Sequence, residues 1–584
     1  MNRRILFAAI FLLVSIGLSA ENITLDMAKK MAVDFFKSQT DASSLHVTRL
    51  DMVYDGRGDV VTASAHSPAL YVFDNPDGKG FVIVAGDDIA YPILGYSFEN
   101  DFPKKDIPPH VKEWLKGMEQ RINYLRDKGV SVKANVSPSS SDIGSVVKKL
   151  NTARWNQDHP YNLNLPTISG SRAVTGCTIT ATAIVMYYHK YPVRGEGVIP
   201  AYTTYSYGIN IPERSLGHDY KWNLMQERYV GNYSSEQAEA VAVLMADLGH
   251  MLNADYGLST AASTSNIPLQ LSTYMGYYKG ALELNRHEYE DREWYDILQN
   301  EIDENRPVIY SGYSSGGGHA FVLDGYTTSD YFSVNWGWGG YYNGYFILDA
   351  LNPEGSGIGG SEDGYNSMQA AIVNLKPEKG GEYIQKLSLS EKGMSINDDK
   401  KFTTTEVNFN AGTVRNTGSV TFYGAFRWCL VDKNGNLKQV IKTTEIGNFV
   451  VGRMIPGGRN VIFNPNEPFK RGDRIRFYYK SENDLDWILV KGNSECVWDL
   501  VLVEDADIRK CTKLRYDKDN DELRVTTRVD VSVGIFSSAE TDYSSLCQTE
   551  GKITTISTSS LPSDTYTIRL SDGKETVNLK VKLN

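Results

Sequence analysis

The sequence predicts an α+β protein of several domains, and three observations carry that expectation. Between residues 150 and 377 helical periodicities come first and alternating strand segments follow, which is the order of an α+β layer and not of repeated βαβ units. Ahead of that region two amphipathic helical patterns flank a few strand patterns; beyond about residue 380 only short strands separated by turns remain. The chain of 584 residues also exceeds what one hydrophobic core serves, and about 150 residues per domain argues for three or four units.

Residues 1–20 read as a secretory signal. Met1-Asn2-Arg3-Arg4 is basic, Ile5 to Leu18 is apolar, and Ser19-Ala20 supplies small residues for cleavage. The apolar part is shorter than the roughly 20 residues of a spanning helix, and no later segment is long and apolar enough to cross a bilayer. The expected product is soluble, without a transmembrane segment, and secreted or periplasmic, with the bacterial cell surface as a further destination.

Residues 21–149 form the next unit. Ile23 to Phe36 has helical periodicity, Ala69 to Val84 alternates around the turn Asn75-Pro76-Asp77-Gly78, and His110 to Asp127 places Trp114, Met118, Ile122 and Leu125 at helical spacing. From Lys128 to Lys149 the run Ala134-Asn135-Val136-Ser137-Pro138-Ser139-Ser140-Ser141 has few large apolar residues and reads as an exposed linker open to proteolysis. The unit is therefore expected to be a detachable α+β prodomain ending in an activation linker.

Residues 150–380 form the central unit. Cys177 to Lys190 predicts a helix buried all round and stopped by Pro192, with further helices at Ser235 to Leu252 and Trp294 to Asn305. Strands are expected at Val308 to Tyr313, Ala320 to Tyr326, Tyr331 to Trp336 and Gly344 to Leu348. Turn signals such as Asp432-Lys433-Asn434-Gly435 then divide a β-sandwich over residues 384–503 from a smaller β module over 504–584.

Composition narrows the function classes. A formal charge of −11 without a Lys/Arg-dense face excludes a nucleic-acid partner. Asp517-Lys518-Asp519-Asn520-Asp521 lacks the glycine and glutamate of a calcium loop and reads as a hairpin turn, and Gly355-Ser356-Gly357-Ile358-Gly359-Gly360 lacks the sequel of a phosphate loop. No metal or cofactor is implied. Cys177 is alone in the first 428 residues, a candidate reactive thiol, while Cys429, Cys496, Cys511 and Cys547 can form two bridges or stay as buried thiols.

The chemistry centres on that lone cysteine. At the first turn of a helix Cys177 meets the positive end of the peptide dipoles, which is expected to lower its pKa. A thiol nucleophile needs a base, and His189 lies twelve residues along the same helix, about 18 Å away. His319, in Gly316-Gly317-Gly318-His319-Ala320-Phe321-Val322, is the better partner. Asn335, sixteen residues further in Val334-Asn335-Trp336-Gly337-Trp338, can hold the imidazole tautomer, with an indole shielding the bond. Gln157 in Trp155-Asn156-Gln157 can join the Cys177 amide in an oxyanion hole.

These segments, together with Met186 to Pro192, Gly318 to Gly325, Gly80 to Asp88 and Ile93-Leu94-Gly95-Tyr96, resemble streptopain-type cysteine peptidases of the papain-like group over residues 23 to 377. The resemblance implies a papain-like peptidase domain with Cys177 as nucleophile, His319 as acid/base, Gln157 in the oxyanion hole, and Asn335 or Trp336 as support for the histidine. It also implies protein or peptide substrates with an apolar side chain two residues before the cut, and a prodomain acting as intramolecular inhibitor. Thr178-Ile179-Thr180 departs from the valine that such families often carry after the cysteine, yet keeps its neighbours compact. The competing reading, from the β-rich tail, is a surface adhesin or binding protein with a vestigial peptidase domain. The stretch Leu561 to Leu570 leading to Val577 to Lys582 is similar to terminal β modules that address some Gram-negative proteins to the surface.

Overall fold

A computed structural model describes residues 22–39, 50–55, 67–75, 79–103, 107–128, 143–314, 317–348, 367–390, 392–397, 406–470, 472–491, 496–502, 508–509, 512–518, 520–527, 530–572 and 576–583. The glycine-rich run 355–360, Cys511 and most of the expected linker lie outside these residues. The chain divides into two compact units: residues 1–149, 313–318 and 323–367 form the first, and 150–312, 319–322 and 368–584 the second.

In the first unit, α1 (Leu25–Gln39) buries Ala28, Ala32, Phe35 and Phe36, residues spaced to share one helical face. Strands β1 (Asp51–Tyr54), β2 (Leu70–Asp74), β3 (Phe81–Ala85) and β4 (Ile93–Ser97) form an antiparallel meander. Helix α2 (Pro109–Lys128) buries Trp114, Leu115, Met118, Ile122 and Leu125. Arg126 fastens this helix to the strands, pairing with the buried Asp87 at 2.7 Å and donating to the Gly86 carbonyl at 2.9 Å.

The meander continues into strands from much later in the sequence. β4 pairs antiparallel with Gly344–Ile347, Gly95 facing Phe346, and Gly344–Ile347 pairs with Tyr331–Asn335. A Cβ on Gly95 would lie 2.7 Å from the Phe346 ring, so the bare backbone there lets the ring close down on the strand. Trp114 and Trp336 each meet Phe346 edge-on, at 5.0 and 5.3 Å.

One expectation is corrected here. The last residues of the expected linker form strand β5 (Val146–Lys149), paired antiparallel with residues 325–327. Two exposed valines, Val146 and Val147, alternate poorly with polar neighbours and gave no strand pattern, but the edge they reach is held by backbone bonds and by Lys149, whose ammonium lies 2.6 Å from the buried Asp324 carboxylate.

In the second unit, α3 (Cys177–His189) buries every residue from Thr178 to Tyr187, and Lys190 ends it in the left-handed conformation at φ 49°. Helix α4 (Ser235–Met251), opened by a Ser234/Gln237 capping box, shares its apolar core. α5 (Ile267–Tyr274) was not anticipated, because eight residues are too few for a periodicity to stand out. α6 (Asp291–Asp303) follows, and strand Leu282–Asn285 pairs with residues 370–373.

Among the described residues beyond 380 the strands pair antiparallel, and one short helical turn, Ser544–Leu546, lies between them. Sheets from residues 387–501 and from 512–583 contribute side chains to one contiguous apolar cluster, which includes Leu500 and Leu502 as well as Leu523, Ile535 and Ile568. Cys429 and Cys547 carry unbridged thiols, so the two-bridge alternative among the four later cysteines does not arise. Asp517 faces Glu522 across a hairpin, and the Asn520 amide donates to the Asp517 carboxylate at 3.2 Å, a turn as expected.

Candidate active site

Cys177 is the first residue of α3 and its thiol is half-buried. Gly176 precedes it at φ 87°, ψ 151°, a region that strains any residue with a side chain. A Cβ there would also meet the Thr260 carbonyl oxygen at 2.7 Å. Glycine is thus required twice over, by conformation and by space. Thr178 fastens the first turn by donating its hydroxyl to the Ala262 carbonyl at 3.0 Å.

The sulfur of Cys177 accepts the Ala320 backbone amide at 3.3 Å. His319 is the preceding residue of the same strand, Gly317–Thr327, and its imidazole is partly buried. One peptide link therefore separates the group bonded to sulfur from the expected base. On the other side, the Gln157 carbonyl accepts the Thr175 amide at 3.0 Å, which ties the Trp155-Asn156-Gln157 segment to the residues leading into the nucleophile. Trp155 anchors that segment, donating its indole N–H to the Gln226 carbonyl at 2.8 Å and packing on Tyr187.

Asn335 and Trp336 belong to the first unit. Both are buried. The Asn335 side-chain oxygen accepts the Gly337 amide at 3.2 Å, and the Trp336 indole donates to the Tyr342 carbonyl at 3.1 Å. His189 sits at the opposite end of α3 from Cys177, as helix length requires.

The electrostatics differ from the expectation for Cys177. Burial pushes its thiol up from the ordinary value of 9.0, outweighing the lowering by the Ala320 amide and by the Thr178 side chain and backbone. The start of a helix favours a thiolate, but removing the sulfur from water disfavours it more. Burial likewise lowers His319 from 6.5 to about 4. Burial thus favours the uncharged form of both groups near neutral pH.

The segment 257–265 had no motif to announce it. The Val174 amide donates to Gly257 O at 3.1 Å, and the Thr260 hydroxyl donates to Val174 O at 2.6 Å. With the Thr178–Ala262 bond, these contacts wall the turn carrying Cys177. The signal in the sequence was small, a cluster of hydroxyl residues from Ser259 to Ser265 that otherwise reads as loop.

Known families match across this site and ahead of it. Residues 155–346 match the Peptidase C10 family, and residues 20–122 match the Spi protease inhibitor family. Streptopain of Streptococcus pyogenes is 34% identical over 339 residues, covering 53% of this chain and 81% of the relative. The thiol protease/hemagglutinin PrtT of Porphyromonas gingivalis is 30% identical over 376 residues, 62% of this chain and 42% of that protein. Among solved structures, a prointerpain A fragment of Prevotella intermedia is similar at 34% identity, covering 53% of this chain and 95% of that one with a TM-score of 0.45. A half-buried thiol at a helix start, a glycine-preceded histidine on the adjoining strand and an inhibitor-type domain ahead of both thus coincide with an alignment over most of streptopain's length, and the chain belongs to the peptidase C10 family of streptopain-like cysteine peptidases, made as a zymogen with an inhibitory prodomain.

Proposed function

We propose that the chain is an exported endopeptidase whose reaction runs through Cys177 and His319, with Gln157 in the oxyanion hole. The observation that carries this reading is the 3.3 Å bond from the Ala320 amide to the Cys177 sulfur, which sets the thiol against the strand of His319. His319 takes the thiol proton, and the sulfur attacks the peptide carbonyl. The Gln157 side-chain N–H and the Cys177 amide hold the oxyanion, and His319 returns the proton to the leaving amine. Water, deprotonated by His319, then hydrolyses the thioester. Asn335 and Trp336 are the candidate supports of the imidazole, and an apolar residue two positions before the cut is the proposed substrate preference.

The prodomain, proposed over residues 21–149 with its activation linker, is the intramolecular inhibitor of the peptidase until cleavage in that linker removes it. The basic and apolar start of the chain supports export through a signal over residues 1–20, and residues 150–380, 384–503 and 504–584 are the proposed peptidase domain and its two β modules. No helix among the described residues is long and apolar enough to cross a membrane. Replacement of Cys177 by Ala tests the reading: casein cleavage is expected to vanish and the precursor to persist, and cleavage at the parental rate would overturn it.

A further inference from the structure

We propose that Arg415, from the β-rich region after residue 380, is a positioning residue for the peptidase: through Glu283 and Thr264 it fixes the 257–265 segment against the turn that carries Cys177. The inference rests on Cys177 being the nucleophile.

The contacts form an unbroken series. Arg415 lies on strand Thr413–Asn416, and its guanidinium donates to the Glu283 carboxylate at 3.0 Å and to the Asn285 side-chain oxygen at 2.7 Å. The other Glu283 oxygen accepts the Thr264 hydroxyl at 2.5 Å. From Thr264 the chain runs back through Ala262, whose carbonyl receives the Thr178 hydroxyl, to Thr260, which packs on Gly176. Glu283 is 5% exposed, and a carboxylate so buried needs a cation. The peptidase region thus carries a charge whose counterion lies about 130 residues away in the β-rich region.

A second contact falls on the same segment. Gly452 stands at φ 77°, and a Cβ there would lie 2.4 Å from the Ser265 hydroxyl. The β-rich region therefore reaches this segment at two places, at Ser265 directly through the bare backbone of Gly452 and at Thr264 indirectly through the Arg415–Glu283 pair. Nothing about substrate binding requires Arg415 to touch a peptide; its effect travels through the wall of the nucleophile's turn.

The test uses the full-length chain, as precursor and after maturation, with Arg415→Ala, Arg415→Lys and Thr264→Val beside the parent and Cys177→Ala. Arg415→Ala is expected to lower kcat by about 10- to 100-fold, the scale of a small misplacement of reacting groups. KM should stay within about twofold, the pattern of a lost transition-state effect. Alkylation of Cys177 by iodoacetamide should slow by a similar factor. Arg415→Lys should restore part of both, because an ammonium neutralises Glu283 without the fork that also reaches Asn285. Thr264→Val removes only the hydroxyl link and should slow alkylation with an unchanged unfolding midpoint. Parental kcat and alkylation in Thr264→Val, or a fully active matured product that has shed residue 415, would overturn the proposal. Should Arg415→Ala not fold, Thr264→Val decides alone. Casein cleavage by Cys177→Ala would instead remove the nucleophile reading, a result distinct from an inactive Cys177→Ala beside a fully active Thr264→Val.

Discussion

The Ala320 backbone amide donates to the sulfur of Cys177 at 3.3 Å, so a peptide N–H bonds the precursor's thiol sulfur. An amide at sulfur stabilises a thiolate, yet burial dominates and the thiol stays protonated.

The reactivity of Cys177 should report that state. In the Cys177-containing precursor, alkylation near neutral pH should be slower than for the same cysteine in urea, with its rate still climbing above the ordinary thiol range. After maturation the midpoint should fall. A precursor that alkylates at the matured rate would contradict the burial argument.

His319 sets a second pH dependence. Its pKa in the folded precursor is lowered to about 4, below the ordinary 6.5, so the unfolded chain binds a proton that the folded one refuses between those values. Stability contributed by the neutral histidine is full above about pH 6.5 and is lost as pH falls toward 4. Thermal melts of Cys177→Ala should therefore drop between pH 6.5 and 5, and His319→Asn in that background should flatten the slope. Comparing the two cancels groups such as His218, which its hydrogen bond to Asp247 pushes upward.

Gln157→Ala should lower kcat by about 100- to 1,000-fold, the usual cost of one oxyanion-hole donor, while KM changes little. Steady-state kinetics on a fluorogenic peptide measure both. An unchanged kcat would assign the oxyanion contact elsewhere.

Gly176→Ala combines a φ of 87° with a Cβ 2.7 Å from the Thr260 oxygen. Backbone strain alone costs about 1–3 kcal/mol. Calorimetry should show a lowered melting temperature, together with a kcat loss larger than the fraction unfolded explains.

Maturation should begin upstream of β5. Residues 146–149 are strand-paired with 325–327, and paired backbone resists proteases, whereas the Ser/Pro run before residue 142 has the composition of a linker, with few large apolar residues to bury. N-terminal sequencing of the matured product should place its first residue at or before Val146; a start beyond Lys149 would show that the strand is opened during activation.

Much of this was legible in the sequence because the main elements are long and periodic. α1, α2, α3, α4 and the strand of His319 all appear where apolar spacing puts them, and the Cys177 and His319 motifs bring both residues into one unit. What escaped was either short or non-local. β5 shows its strand character only once residues 325–327 lie beside it, and α5 is a helix of eight residues. The pKa of Cys177 could not be read from helix position, since its sign depends on how much chain covers the sulfur. Glu283 and Arg415, ordinary charges in sequence, become one buried pair only through the fold.

The most direct measurement is covalent labelling of the matured protein with an epoxysuccinyl peptide, followed by peptide mapping and residual activity. One adduct per chain on Cys177, with peptidase activity falling in proportion to labelling, is the predicted result. Full labelling of Cys177 with activity intact, or inactivation with the adduct on another cysteine, would contradict the assignment.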